Sequence, residues 1–201
     1  MHAGEHRAVH SVSVAEPFAF QELRIRQPGK VLAGRASYEI FDPRKNLLAT
    51  VTETERRSRM DTITGMVPGT RILAVRSEAG EPLFTLIRRD SDWRAELTGP
   101  DGELIGRIAI GDTRRDYTLI DHEDRVAGQA VGDLAVKQFA VSGADGERYA
   151  QIRKTWAGLG KELFTDADHY TVTFKGPVPP RIRPLIVMVP IVLDMTRYGP
   201  Y

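Results

Sequence analysis

The sequence predicts a mainly β chain folded as a closed antiparallel barrel of about twelve strands around a hydrophobic C-terminal segment, and three observations carry that expectation. A turn repeat runs through the middle of the chain, where Gly80 in EAGE, Gly102 in PDGE, Asp124 in HEDR and Gly146 in ADGE advance by about 22 residues. The runs between these turns alternate with period two. The tail Pro184–Leu193, PLIVMVPIVL, is the most continuously apolar stretch of the sequence.

Gly and Asp tolerate the positive φ that tight hairpin turns demand, so the four repeated positions are read as hairpin tips. Gly111-Asp112 and Gly132-Asp133 mark turns at the opposite end, and one repeat is then two strands and two turns of a meander. Within the runs, Trp93, Ala95 and Leu97 alternate with Arg94, Glu96 and Thr98. Tyr38 and Ile40 flank Glu39, and Ala49 and Val51 alternate with Thr50 and Thr52. That pattern sends one sheet face into a core and the other toward water. About twelve such runs lie between Leu23 and Phe174, too many for a comfortable flat sheet, and closure removes the exposed edges.

A ring of that size has an interior wider than its own side chains fill, and the apolar tail is the segment available to fill it. As a membrane span the tail is short. A helix from Ile182 to Met195 covers about 21 Å against a hydrocarbon core of about 30 Å. Arg181 and Arg183 bound it on one side, Asp194 and Arg197 on the other, and Pro190 interrupts its middle. Periodicity leaves helix and strand both open for this Val- and Ile-rich run.

Composition bounds the function. The 201 residues suit one domain, with residues 1–16 read as a flexible N-terminal arm and 17–201 as the barrel domain. Twenty-eight basic against 27 acidic residues give a net charge of +1, without the basic excess of a nucleic-acid binder. There is no cysteine, so disulfides, thiolate metal sites and cysteine nucleophiles are excluded. No run of signal-peptide length opens the chain, and a cytoplasmic location is expected. His2, His6 and His10 share the spacing of one helical face, but no cap or carboxylate supports a metal there, and they are read as part of the solvated arm.

The segment QIRKTWAGLGKELFTDADHYTVTF (151–174), followed by an apolar run ending in Asp194, resembles the C-terminal part of the phospholipid scramblase and LURP-one-related families. Ile152, Lys154, Trp156, Gly158, Glu162, Phe164, the TDAD of 165–168, Phe174 and Asp194 carry the likeness. LRIRQ (23–27) and YEIFD (38–42) are similar to the opening strands of the same families. The resemblance implies a tubby-like fold, a closed barrel threaded by one hydrophobic C-terminal helix, and so assigns the tail its helical state.

The resemblance also points to a calcium loop over Asp166–Pro177. Asp166 and Asp168 stand at its first and third positions, but Tyr170, Thr171, Phe174 and Pro177 replace the ligands, glycine and closing acid it needs. A degenerate remnant with no bound metal is expected. No serine elbow, phosphate loop or zinc motif occurs, so neither catalysis nor a cofactor is expected. Basic pairs recur at Arg56-Arg57, Arg88-Arg89 and Arg114-Arg115, interleaved with acids. The cluster Lys175, Arg181 and Arg183 is the candidate for holding an anionic lipid headgroup. Trp93 and Trp156 are read as core anchors. The expected function is a non-enzymatic tubby-like binding or scaffold module on anionic phospholipid at the inner face of a membrane, with a scramblase-like lipid transporter as the alternative.

Overall fold

The computed structural model describes residues 16–28, 36–56, 70–89, 92–155 and 169–197. Among these, twelve strands close into one antiparallel barrel. In chain order they are β1 (Glu22–Arg26), β2 (Ser37–Phe41), β3 (Leu47–Arg56), β4 (Thr70–Ser77), β5 (Pro82–Arg89) and β6 (Arg94–Thr98). Then follow β7 (Leu104–Ile110), β8 (Asp116–Asp121), β9 (Val126–Gly132), β10 (Gln138–Gly143), β11 (Arg148–Thr155) and β12 (His169–Phe174). A 3-10 turn (Glu16–Phe18) precedes the ring and one helix, α1 (Ile182–Arg197), follows it. Every strand pairs with its neighbours in sequence, and β1 closes the ring on β12 with Leu23 opposite Val172 and Ile25 opposite Tyr170.

The four repeated turns are hairpin tips, all at one end of the barrel. Gly80, Gly102, Asp124 and Gly146 have φ of +84°, +81°, +62° and +84°, and Lys45 at +69° adds a fifth tip between β2 and β3. Each tip is closed by the same pair of backbone bonds. In the first of the repeat, Gly80 N–H donates to Ser77 O at 2.9 Å and Ser77 N–H to Glu81 O at 2.8 Å. At the opposite end, which we call the turn end, the Gly-Asp pairs open turns as expected. The positive φ there falls three or four residues later, on Arg114 and Val136, both at +53°. A β-branched residue in this region is strained. Val136 is buried, and its burial offsets that strain.

Alternation places the expected residues inside. Tyr38, Ile40, Ala49, Val51, Ala95 and Leu97 are buried, while Arg94, Glu96, Thr50 and Thr52 lie on the outer face. A barrel that crosses a bilayer on its strands shows the inverse, an apolar exterior around a polar lumen. Trp93 corrects the expectation. The strand begins one residue later, so the ring stays in the turn, 53% exposed, with the Arg114 guanidinium 5.8 Å from its centroid.

The tail enters the barrel at the tip end and runs along its interior. Leu185 through Val189 and Ile191 through Leu193 are fully buried on every side. Pro184 sits in the first turn, where a missing N–H costs nothing, and the helix continues through Pro190. No described helix is long and apolar enough to cross a membrane. The helix lies closest to β7, β8 and β9. There Gly106, Gly128 and Ala130 keep the wall low, and a Cβ on Gly106 would stand 2.8 Å from Leu185 Cδ1 and 2.4 Å from Ile120 O.

Both ends of α1 are fastened. At the turn end, Tyr170 Oη donates to Asp194 Oδ1 at 2.5 Å in a buried site, and Thr196 Oγ1 donates to Leu193 O at 2.7 Å. Arg88 and Arg114 donate to the carbonyls of Met195 and Thr196, each at 3.5 Å, placing cations at the helix C-terminus, where the macrodipole favours them. At the tip end Phe18 of the 3-10 turn is fully buried against Phe84, with ring centroids 5.7 Å apart.

Two outcomes follow. Truncation after Arg183 removes the filling of the ring, and the shortened chain is expected to lose its cooperative unfolding transition in urea and to aggregate. A truncated protein that stays folded would remove the plug from the account of stability. Tyr170→Phe deletes one bond to a buried carboxylate and is expected to cost about 1.5–3 kcal/mol in urea denaturation, with the barrel's far-ultraviolet spectrum retained.

Candidate functional site

With its axis occupied by α1, the barrel offers its chemistry on the outer wall and the two rims. Of the expected anion cluster, Lys175 and Arg181 are exposed at the tip end, on the connection from β12 to α1. Arg183 is employed differently. Its Nε donates to Phe18 O at 2.9 Å and its Nη2 to Phe20 O at 2.7 Å, while the guanidinium carbon lies 3.7 Å from the Phe174 ring centroid. Burial lowers its pKa from the ordinary arginine value. A cation in the first turn of a helix opposes the macrodipole, and here two carbonyls and a π-face supply the compensation. The side chain straps the N-terminal segment to the plug. The tips closest to Lys175 and Arg181 are mixed in charge, with Asp145, Glu147 and Arg148 between β10 and β11 and Arg44 and Lys45 between β2 and β3, while the tips across the ring, from β4 to β9, are predominantly acidic.

A second cationic feature lies on the outer wall, where β1, β2 and β12 meet. A groove of ≈ 350 Å³ is lined by Arg24, Arg26, Phe41, Lys45, Thr155, His169 and Thr171, among others. Strand register builds it. Arg26 stands opposite His169 on β12 and Glu39 on β2, and His169 stands opposite Thr155 on β11. One rung along, Arg24 stands opposite Thr171 and Phe41, and Thr171 stands opposite Arg153. Two rows of outward side chains thus cross the seam where the barrel closes.

The arginines are held in place. Arg26 Nε and Nη2 donate to Glu39 Oε2 at 2.9 and 2.5 Å, with its guanidinium carbon 5.4 Å from the Phe41 ring centroid. Arg24 Nε and Nη2 both donate to Glu22 Oε1 at 3.1 Å. Lys45 reaches the groove from the β2–β3 tip, which Asp42 organises by accepting Asn46 N–H and Nδ2, both at 2.8 Å. Burial opposes ionisation of Asp42, but these bonds and the backbone bond from Arg44 outweigh it and hold the pKa below the usual carboxylate value. Three permanent cations and an imidazole thus share one concave wall, with Glu22 and Glu39 holding the two arginines and offsetting part of their charge.

Arg24, Arg26 and Lys45 were hidden in the sequence because LRIRQ reads as an alternating strand like any other. Their convergence with His169 depends on a pairing between the first and last strands, which no local pattern reports. Asp166, Asp168 and Trp156 lie outside the described residues, as do His2, His6 and His10. Among the described residues no group of His, Asp or Glu is placed to hold a metal ion.

The Scramblase family model matches residues 35–199. A search of curated proteins gives no match. Among solved structures, the X-ray structure of an Arabidopsis thaliana protein superposes with a TM-score of 0.57 at 16% identity, covering 92% of this chain and 98% of that one. At that identity the likeness concerns the fold. The family match spans most of the sequence, and the chain belongs to the Scramblase family.

The strap yields a prediction. Arg183→Ala is expected to lower stability by about 2–3 kcal/mol, from two charge-assisted bonds and one cation–π contact. Limited proteolysis should then cut near Phe20 before the barrel is digested. Wild-type resistance at that site in the variant would show that the strap is dispensable.

Proposed function

We propose, from membership of the Scramblase family and the geometry of the outer wall, that this protein is a non-enzymatic module that holds anionic phospholipid headgroups at a membrane surface. The observation that carries the reading is the groove of Arg24, Arg26, Lys45 and His169 beside the Phe41 ring. A phosphodiester there meets the outer N–H groups that two arginines do not spend on Glu22 and Glu39, together with an ammonium and an imidazole, and the aromatic wall suits the glycerol or polyol that carries it. Phosphatidylserine and phosphoinositides concentrate at the cytoplasmic face of membranes, which makes that leaflet the expected partner. Lys175 and Arg181, on the tip rim, are assigned a lesser part.

Each cation close to an anionic surface contributes about 1 kcal/mol, or about fivefold in affinity. Wild-type protein is therefore expected to sediment with phosphatidylserine vesicles at low salt and to be released at high salt. Arg26→Gln and Lys45→Gln should each weaken binding about fivefold. Equal sedimentation with phosphatidylcholine and phosphatidylserine vesicles would refute the reading.

The family match favours a second reading, a lipid transporter of the scramblase kind. Reconstituted protein would then accelerate exchange of a fluorescent lipid between leaflets, and an unchanged rate with calcium present would eliminate it. Against it stands the burial of α1, the most apolar segment, inside the barrel.

A further inference from the structure

We infer that the turn end of the barrel is the face that meets the bilayer, inserting Leu134 and Trp93 among the lipids with Arg94, Arg114, Arg115 and Lys137 at headgroup level. This orientation rests on the membrane-binding reading above and adds to it a second site, formed by three consecutive turns that the groove does not include.

The apolar side chains are the first ground. Leu134 is 88% exposed, the most of any large hydrophobic residue described, and Trp93 and Val131 are about half exposed. All three belong to the turn end, Trp93 between β5 and β6 and the others at the turn between β9 and β10. The turns are one physical surface. Ile110 N–H donates to Trp93 O at 2.7 Å, Arg114 lies over the Trp93 ring, and Gly132 N–H donates to Arg115 O at 2.8 Å. Leu134 is presented on a rigid mount. Asp133 accepts Lys137 N–H at 2.7 Å and Val136 N–H donates to Asp133 O at 3.0 Å, while Val136 turns inward in its left-handed conformation. Burying Val136 in this way commits Leu134 to the tip.

Charge is the second ground. Arg94, Arg114, Arg115 and Lys137 ring the apolar tips, the arrangement in which guanidinium and ammonium groups sit at phosphate level while Trp and Leu enter the interface. Four carboxylates share the rim. Asp133 is turned onto backbone N–H groups and Asp116 accepts the Thr113 hydroxyl at 2.8 Å, leaving Asp92 and Asp112 on the outer surface. The opposite end of the barrel carries more carboxylates than cations, although Arg44, Lys45, Lys175 and Arg181 lie there, and is the less favourable face for an anionic leaflet. The groove runs along the wall, with Arg26, Thr155 and His169 at its turn end and Phe41 and Lys45 toward the tips, so this orientation brings the Arg26 and His169 half nearest the bilayer.

The test uses full-length protein and vesicles of phosphatidylcholine, with and without phosphatidylserine, whose acyl chains are brominated to quench tryptophan. With phosphatidylserine present, fluorescence of a Trp156→Phe variant, which keeps Trp93 as its single tryptophan, should fall, and wild-type quenching should drop in Trp93→Phe. Leu134→Glu should weaken vesicle binding by about tenfold or more, with an unchanged melting temperature, because the side chain touches no core. Arg26→Gln, at the turn end of the groove, should reduce the bound fraction yet leave the quenching per bound molecule intact. Bound wild-type protein without Trp93 quenching, or Leu134→Glu binding like wild type, would overturn the orientation and leave the headgroup groove standing. Wild-type protein that ignores phosphatidylserine vesicles would remove both.

Discussion

A closed ring of twelve strands encloses more volume than its inward side chains can fill, and everything else in this structure follows from how that space is taken up. The plug α1 contributes nine fully buried apolar side chains, Leu185 to Val189, Ile191 to Leu193 and Met195. At about 2 kcal/mol each, their burial is worth on the order of 20 kcal/mol as an upper estimate. That exceeds the whole net stability of an ordinary domain, about 5–15 kcal/mol. The barrel is therefore conditional on the last segment of its chain. Its walls are shaped for the plug, with Gly106, Gly128 and Ala130 where the helix leans and larger side chains such as Tyr170 and Ile25 elsewhere. An apolar helix in an apolar tube has no directional contacts to set its depth. Polar latches at both ends supply them, with Arg183 on the N-terminal carbonyls and Asp194 on Tyr170.

The legible part of the fold was the part written in short-range chemistry. Gly80, Gly102 and Gly146 occupy positive φ because a tight tip demands it, and residue type alone announces that demand. Alternation in β2, β3 and β6 likewise reports which face is buried. Trp93 breaks the pattern, since its size and parity suggest a core position while the strand begins only at the next residue and leaves the ring in the preceding turn. Arg183 counted as a free cation until its acceptors were found 163 and 165 residues away in sequence. The groove is the extreme case. Arg24 and His169 become neighbours only because the first and last strands close the ring, so a site built at that seam leaves no local trace.

The two rims carry opposite instructions. Four of the five tips made from one turn design place Gly or Asp in the left-handed position beside further Asp and Glu, and the design gives that end an acidic excess as a by-product, the fifth tip carrying Arg44 and Lys45 instead. The turn end is under a different constraint. The carbonyls of the plug's last turn emerge there, and arginines that satisfy them, Arg88 and Arg114, come with positive charge. Stability and electrostatics are thus coupled through the direction of α1. The helix that fills the barrel thereby draws arginines to its exit, while the acidic excess of the other rim comes from the hairpin tips.

That coupling separates two ways in which this fold can be related to membranes. If the hydrophobic segment were the membrane element, it would have to leave the barrel, exposing the inner faces of twelve strands and breaking the Asp194–Tyr170 bond and the arginine contacts to Met195 and Thr196. The helix's own apolar side chains would stay out of water in either place, so the cost of that exchange is the apolar barrel interior exposed to water and the polar contacts broken at the end of α1, and a helix of about 24 Å is also short for a hydrocarbon core of about 30 Å. A surface that keeps the plug in place and uses only exposed side chains carries no such cost. Leu134, Trp93 and their flanking cations can enter an interface without moving a strand, and the groove at the seam can take a headgroup with its arginines already held by Glu22 and Glu39. The same argument separates the two functional readings by energy. Headgroup capture requires nothing of the core, whereas carrying a lipid through the protein would require opening the element on which the fold depends.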